Sequence, residues 1–481
     1  MRAGKGLPSY ARGARPLTAN SRGVLLTVVK RTILKVVAAL AGARSEGRMT
    51  VVERKLHRSA SAQVPPGDQA QRLFATRKLS LDLAAPLSPE DQVVQAMEDA
   101  SPTKWHLAHV TWFFENFILG PHLEGYRLFD DTFNYCFNSY YESQGPRHPR
   151  PKRGLLTRPS AERVLAYRAH VDHGLETLLS REEASSAGVA RLIEIGINHE
   201  QQHQELLLTD ILALFAESPL RPAYQGAPSV WDVSEPDPVR WIDYAGGIHR
   251  VGHETEDYCW DNELPPHDAL VHPFRIADRL VTNSEWLAFI KDGGYATPSL
   301  WLADGWATIS REGWQCPLYW ENTDAGWFQM SLQGLTPVVP AEPVAHVSYY
   351  EADAFARWAG KRLPTEFEWE VAAAGTPMDG NTMQTGALRP RRAEPSQSDT
   401  PRQLFSDVWE WTASAYLPYP GYRPPAGAIG EYNGKFMVSQ QVLRGASCVT
   451  PEGHSRPTYR NFFYPHQRWQ FLGLRLASEI D

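Results

Sequence analysis

Asn198-His199-Glu200-Gln201-Gln202-His203-Gln204-Glu205, set within the apolar frame of residues 190–215, decides how the first half of the chain is read. His199 and His203 stand at i and i+4, so a helix puts both imidazoles on one face, one turn apart. The stripe continues through Leu192, Ile195, Leu206 and Asp210, which turns the pair inward. Two inward histidines one turn apart are half of a metal site. The third ligand then decides the chemistry.

The same residues spell H-E-x-x-H, the zinc-protease signature, in which Glu200 would be the general base. The plain alternative is a helix whose two histidines are satisfied by polar neighbours. Glu205 lies two residues past His203, rotated by about 200° on a helix, and suits a structural carboxylate better than a ligand. Candidates for the third position are His106 and His109 in Trp105-His106-Leu107-Ala108-His109, and His170 and His173 further on. The metzincin extension after His203 is absent. Glu217 could act as a downstream carboxylate, but Pro219 and Pro222 break the helix beside it.

Working outward, helical periodicity predicts segments over 68–81, 90–119, 160–179 and 187–216. The second should break at Pro102 with Ser101 as cap, and the third should start at Ser160. These helices form a bundle over residues 65–216, with ligands projecting into its centre. The loop of residues 138–154 is rich in Pro, Gly, Arg and Tyr and is not helical. A linker with five prolines follows at 217–240. Residues 241–481 carry short strands, many Gly, 13 of the 16 Trp and a helix near 349–359. The fold class expected is therefore α+β. The polar, Pro/Arg-rich stretch 383–403 reads as a mobile loop.

The net charge of −7 in 481 residues argues against a nucleic-acid partner. Cys136, Cys259, Cys316 and Cys448 form no C-x-x-C pair, which suits a reducing, cytoplasmic setting. No apolar run is long enough to span a membrane. Residues 1–48 are Arg-rich with no acid before Glu46. The expectation is that residues 1–64 are an extension outside the core. It is either a targeting segment or, preferably, translated upstream sequence with Met49 as the start.

The second half also contains Val281-Thr-Asn-Ser-Glu285, Gly360-Lys-Arg-Leu-Pro-Thr365, Asp407-Val-Trp409-Glu410-Trp411-Thr412, Leu443-Arg444-Gly445 and Gly473-Leu474-Arg475. Together these resemble the formylglycine-generating (sulfatase-modifying factor) enzymes, whose fold is C-type-lectin-like. The first half, with Leu107-Ala108-His109 and His199-x3-His203, resembles the DinB-like metal-binding bundle. The pairing resembles the iron-dependent sulfoxide synthases of ergothioneine biosynthesis.

That resemblance implies an Fe(II) site made of His109, His199 and His203. It implies a pocket for hercynine (trimethylated histidine) lined by Gln202, Asn461 and Phe462. It implies Tyr416 as the residue delivering a proton or electron, with Tyr419 beside it. The other substrates would be O2 and either cysteine or gamma-glutamylcysteine. Some members hold the glutamyl head with an Asp and an Arg where this chain has Phe463 and Gln467. Others carry a pair like Tyr140-Tyr141 and take free cysteine. The formylglycine enzymes use paired cysteines, and only Cys448 lies near the terminal motif here.

The residue types suit that chemistry. Three neutral histidines on one face leave metal positions open for substrate and oxygen. A fixed trimethylammonium group needs an apolar or aromatic wall, for which Phe462, Tyr419 and Trp411 are candidates. One of Arg147, Arg150 and Arg153 could hold the cysteine carboxylate. The expectation is an oxygen-dependent enzyme joining the cysteine sulfur to imidazole C2 as a sulfoxide. Alternatives are an ovothiol-type synthase acting on unmethylated histidine, a zinc hydrolase or thiol transferase on the same bundle, and a non-enzymatic lectin-like binding module.

Overall fold

A computed structural model describes residues 69–480 except 182–185. The expectations for residues 1–64 and for Met49 lie outside the described residues. Four main helices build the first half: α1 (Gln69–Ala84), α2 (Thr103–Phe114), α3 (Ala161–Leu179) and α4 (Ala187–Glu217). The apolar run around His199 is thus one helix of 31 residues. Ser186 starts it and Ser160 starts α3, each hydroxyl accepting a backbone N–H three residues on. α4 packs on α1 and α2. Gly196 permits the close approach, because a Cβ there would sit 2.5 Å from the Phe114 ring.

The helical stretch expected from Glu90 is shorter than its pattern suggests. Residues 85–102 are turns, and α2 begins at Thr103 with Pro102 before it and no side-chain cap. Ser101 does not cap the helix, because its groups are used elsewhere. Its N–H donates to Asp210 Oδ2 at 2.7 Å, and its hydroxyl accepts from Arg153 Nη1 at 2.9 Å.

The second half is built of small sheets and short helices. One four-stranded sheet is ordered Asn461–Phe463, Gln441–Gly445, Trp409–Ala415, Leu472–Gly473; only the last pair is parallel. The helix Tyr349–Trp358 starts in a reciprocal capping box between Ser348 and Glu351. Residues 383–403 are tied down rather than loose. Met383 is fully buried, Arg391 N–H donates to Asp407 Oδ1 at 2.8 Å, and Arg402 pairs with Asp278 at 2.7 Å.

The halves share their interior. The C-terminal half of α4 buries Leu207, Leu208, Ile211 and Phe215 against Leu280, Met330, Val449 and Phe471. Polar residues of α4 are matched across the same seam. Trp409 Nε1 and the Ser447 hydroxyl donate to Glu205 Oε1, and the Thr450 hydroxyl to Oε2, each at 2.8 Å. Trp469 Nε1 donates to Asp210 Oδ1 at 3.0 Å. Glu205 is therefore a structural carboxylate, as its rotation away from His203 implies. Among the described residues no helix is long and apolar enough to cross a membrane.

Candidate metal centre

The packing of α2 on α4 brings His109 to His199 and His203. Their ring centroids are 4.8–4.9 Å apart, and one nitrogen from each lies within 4.8 Å of the others. His109 is clamped between Trp105 and Trp112, stacked at 4.6 and 5.7 Å. Its Nδ1–H donates to the Phe137 carbonyl at 2.6 Å, so Nε2 is left with a free lone pair. That Nε2 and both nitrogens of His199 are buried without a hydrogen-bond partner. Burial lowers all three imidazoles; His199 falls to about 3, and His109 and His203 are lowered further by their histidine neighbours. Three neutral imidazoles with unpaired, converging nitrogens fit a metal ion. His106 is outside the trio, and His170 and His173 lie away from it, on the exposed side of α3.

Glu200 does not face this centre. It is fully buried and holds Arg77 Nη1 at 3.1 Å, the Ser80 hydroxyl at 2.6 Å and Arg168. Burial would raise its carboxyl, but Arg168 and Arg77 pull it below the usual range. The H-E-x-x-H reading is corrected on that ground: a carboxylate spent on two buried cations is no general base for a hydrolase.

Beside the histidines opens a cavity of about 370 Å³ between the two halves of the fold. Arg153, Tyr140, Gln202, Asn461 and Phe462 all line it. Arg153 lies 3.4 Å over the Trp105 ring and donates to Ser101 and Ser139 hydroxyls at 2.9 and 2.8 Å. It makes no ion pair among the described residues, and its Nε is unpaired. A buried guanidinium held only by neutral groups is a vacant partner for a carboxylate. Arg147 pairs with Glu142, and the Arg150 guanidinium donates to the Asp99 carbonyl.

Gln202 is held at both ends of its amide. Nε2 donates to Tyr459 Oη at 2.6 Å, and Oε1 accepts from Tyr432. Tyr432 is the residue that sequence reasoning missed. Its ring lies 5.8 Å from His199, 5.6 Å from Tyr140 and stacked 4.7 Å on Trp260. Tyr140 is hydrogen-bonded through its hydroxyl to Tyr141 and Tyr432, and burial raises all three phenols. Tyr141 itself is buried behind the cavity lining.

Three of the expected site residues lie outside the cavity lining. Tyr416 is not in the cavity lining. It stacks behind Phe462 at 4.1 Å and accepts from Asn262 Nδ2 at 2.9 Å. Tyr419 belongs to a buried cluster, where its hydroxyl accepts from Arg444 at 3.0 Å and Arg460 covers its ring at 4.0 Å. Trp411 is likewise core, donating to the Val347 carbonyl at 2.9 Å. Trp409, two residues earlier on the same strand, lines the cavity instead.

Residues 72–207 match the DinB superfamily, and residues 238–402 and 398–480 match the sulfatase-modifying factor enzyme 1-like domain. The chain is 33% identical over 418 residues to the hercynine oxygenase of Mycolicibacterium thermoresistibile, covering 79% of this chain and 88% of that one. It is 33% identical over 406 residues to the hercynine oxygenase of Mycobacterium tuberculosis, covering 79% and 91%. It is 26% identical over 245 residues to ergothioneine biosynthesis protein 1 of Schizosaccharomyces pombe, covering 47% of this chain and 29% of that one.

Proposed function

The chain belongs to the hercynine oxygenase family, and from that membership we propose an oxygen-dependent sulfoxide synthase of ergothioneine biosynthesis, which joins the sulfur of cysteine to imidazole C2 of hercynine at an Fe(II) centre. The observation that carries the reading is the trio His109, His199 and His203, with unpaired nitrogens on His109 and His199, beside a cavity that also holds Arg153, which makes no ion pair among the described residues. When bound, the metal supplies the redox chemistry that activates dioxygen. Three neutral nitrogen donors from the protein would leave coordination positions for substrate and oxygen.

The chain's own groups divide the remaining work. Arg153 holds the thiol substrate by its carboxylate, a charge-assisted contact, since among the described residues no carboxylate forms an ion pair with it. The rings of Phe462 and Trp409 offer the trimethylammonium group a wall of π-faces. Gln202, fixed by Tyr459 and Tyr432, and Asn461 orient hercynine. Tyr140 and Tyr432 keep their phenolic protons at neutral pH, because burial raises them. Either Oη can therefore deliver a proton to the reacting atoms. The test is direct. The protein is loaded anaerobically with ferrous iron and given hercynine or histidine with each thiol, then oxygen is admitted and the products are weighed by mass spectrometry. Thiol oxidation without any carbon–sulfur product, for either imidazole, sinks the reading.

Phenylalanine variants separate the tyrosines. Tyr432→Phe or Tyr140→Phe should cut sulfoxide formation by about 100-fold or more, the usual scale of a lost general acid. Tyr416→Phe loses only the contact with Asn262, about 1 kcal/mol of stability, and should turn over within a few-fold of the parent. Single-turnover rates of sulfoxide formation for the three variants check this. A defect in Tyr416→Phe alone would return the role to that residue.

Free cysteine should be preferred over gamma-glutamylcysteine. Phe463 packs edge-on against Trp469 at 5.7 Å, and the Gln467 side chain accepts the Tyr464 N–H at 2.9 Å. Neither offers a charge to a glutamyl head. A missing charge-assisted contact costs about 1.5–3 kcal/mol, or about tenfold to more than a hundredfold in kcat/KM. Competition between the two thiols at fixed hercynine measures it, and a preference for the dipeptide refutes it.

A further inference from the structure

His106 and Asp210 lie beside the three histidines without belonging to them. His106 stands three residues before His109 on α2, and Asp210 seven residues after His203 on α4. Helical spacing therefore puts each on the same face as its ligand neighbour. His106 Nδ1 lies 2.8 Å from His203 Nδ1, and His106 Nε2 lies 3.0 Å from Asp210 Oδ2. Asp210 is anchored in turn by the Ser101 N–H at 2.7 Å and Trp469 Nε1 at 3.0 Å.

The positions of the protons follow from the carboxylate. An ionised Asp210 only accepts, so His106 Nε2 carries a hydrogen toward it. A neutral His106 then presents a lone pair at Nδ1. The short nitrogen–nitrogen contact needs one hydrogen, and His203 Nδ1 must supply it. His203 is thereby left with its lone pair on Nε2. The other two ligands lack such a device among the described residues: His109 is fixed by a backbone carbonyl, and neither nitrogen of His199 has a hydrogen-bond partner.

We propose that Asp210 and His106 are positioning residues for the metal centre, a carboxylate–imidazole relay that fixes the tautomer and ring orientation of His203. Outer-shell partners of this kind orient ligands and raise their basicity, and removing one typically weakens metal binding by about 10–100-fold. The relay rests on the reading of His109, His199 and His203 as metal ligands. It is also tied to the second half of the molecule, because Trp469 donates to Asp210.

The experiment titrates Co(II), and separately Fe(II) under anaerobic chelator competition, into the full-length protein without substrates. His106→Phe keeps the ring's bulk but removes the acceptor, and should bind about 10–100-fold more weakly with an altered cobalt absorption band. His106→Asn places an oxygen near the former Nδ1 and should recover most of the affinity. Asp210→Asn, which donates as well as accepts, no longer dictates the tautomer and should fall between. If His106→Phe lowers the melting temperature but leaves affinity and spectrum unchanged, His106 is only packing and the proposal is wrong. Unchanged metal affinity with a raised KM for hercynine makes His106 a substrate contact and equally overturns it. So does a His106→Asn variant as weak as His106→Phe. A cobalt spectrum that survives His199→Ala overturns the metal centre itself, and the relay with it.

Discussion

His199→Ala is expected to empty the metal centre and to abolish oxygen-dependent sulfoxide formation, and His109→Ala and His203→Ala should do the same. Each removes one of the three proposed donors found among the described residues, and the imidazole beside them, His106, is engaged with His203 and Asp210. The apo fold should tolerate the change at His199. Both ring nitrogens there are unpaired, so no protein hydrogen bond is lost, and the cost is the packing against Phe113 at 5.0 Å. What disappears is the stabilisation by bound metal, about 2.7 kcal/mol at a metal concentration 100 times Kd. Melting curves with and without Co(II) read this directly. The parent should gain stability with metal and the variant should not. A His199→Ala protein that still carries stoichiometric metal and consumes oxygen would show that the trio is not the site.

Glu200→Ala should unfold the helical half rather than merely silence it. The carboxylate is the shared partner of Arg77 and Arg168, both almost fully buried, and it also accepts from Ser80. Removing one member of a buried ion cluster leaves uncompensated charge and typically costs about 3–5 kcal/mol, a large part of the roughly 5–15 kcal/mol that holds a domain together. A general base behaves in the opposite way, since its removal leaves the fold intact. The pH dependence has a definite sign. The folded-state carboxyl lies below its ordinary value of 4.5, so its contribution is complete above that value and is lost as pH falls through the lower folded one. Urea unfolding of the parent and of Glu200→Ala at pH 7 measures the difference. A variant as stable as the parent but inactive would restore the hydrolase-like role of Glu200.

The periodic parts of the chain were legible from sequence, and the parts fixed by distant partners were not. The pair His199 and His203 follows from the helical repeat alone. His109 needed a motif, because its place depends on how α2 lies on α4, and that in turn depends on the absent side chain of Gly196. Periodicity extended α2 back to Glu90, since nothing local says that Ser101 is claimed by Asp210 more than a hundred residues later. Composition made residues 383–403 look loose, yet their ties to Asp278 and Asp407 come from elsewhere in the chain. Tyr432 sits in a Gly-rich stretch without a repeat, and its stacking on Trp260 and its hydrogen bond to Gln202, both distant in sequence, bring it to the histidines. Tyr416 and Tyr419 were read as cavity residues because a motif fixes a position along the chain and not the direction of a ring.

The seam at Glu205 bears on how the molecule is assembled. Its contacts to Ser447 and Thr450 join residues 242 and 245 positions apart. Closing loops of that length is entropically costly and delays the contacts that depend on it. The three proposed metal donors all precede residue 217, whereas much of the chamber wall follows residue 400. On a ribosome the histidines are therefore made first and stand uncovered until the last strands arrive. The order of synthesis completes the proposed metal trio before the walls that would choose its substrates.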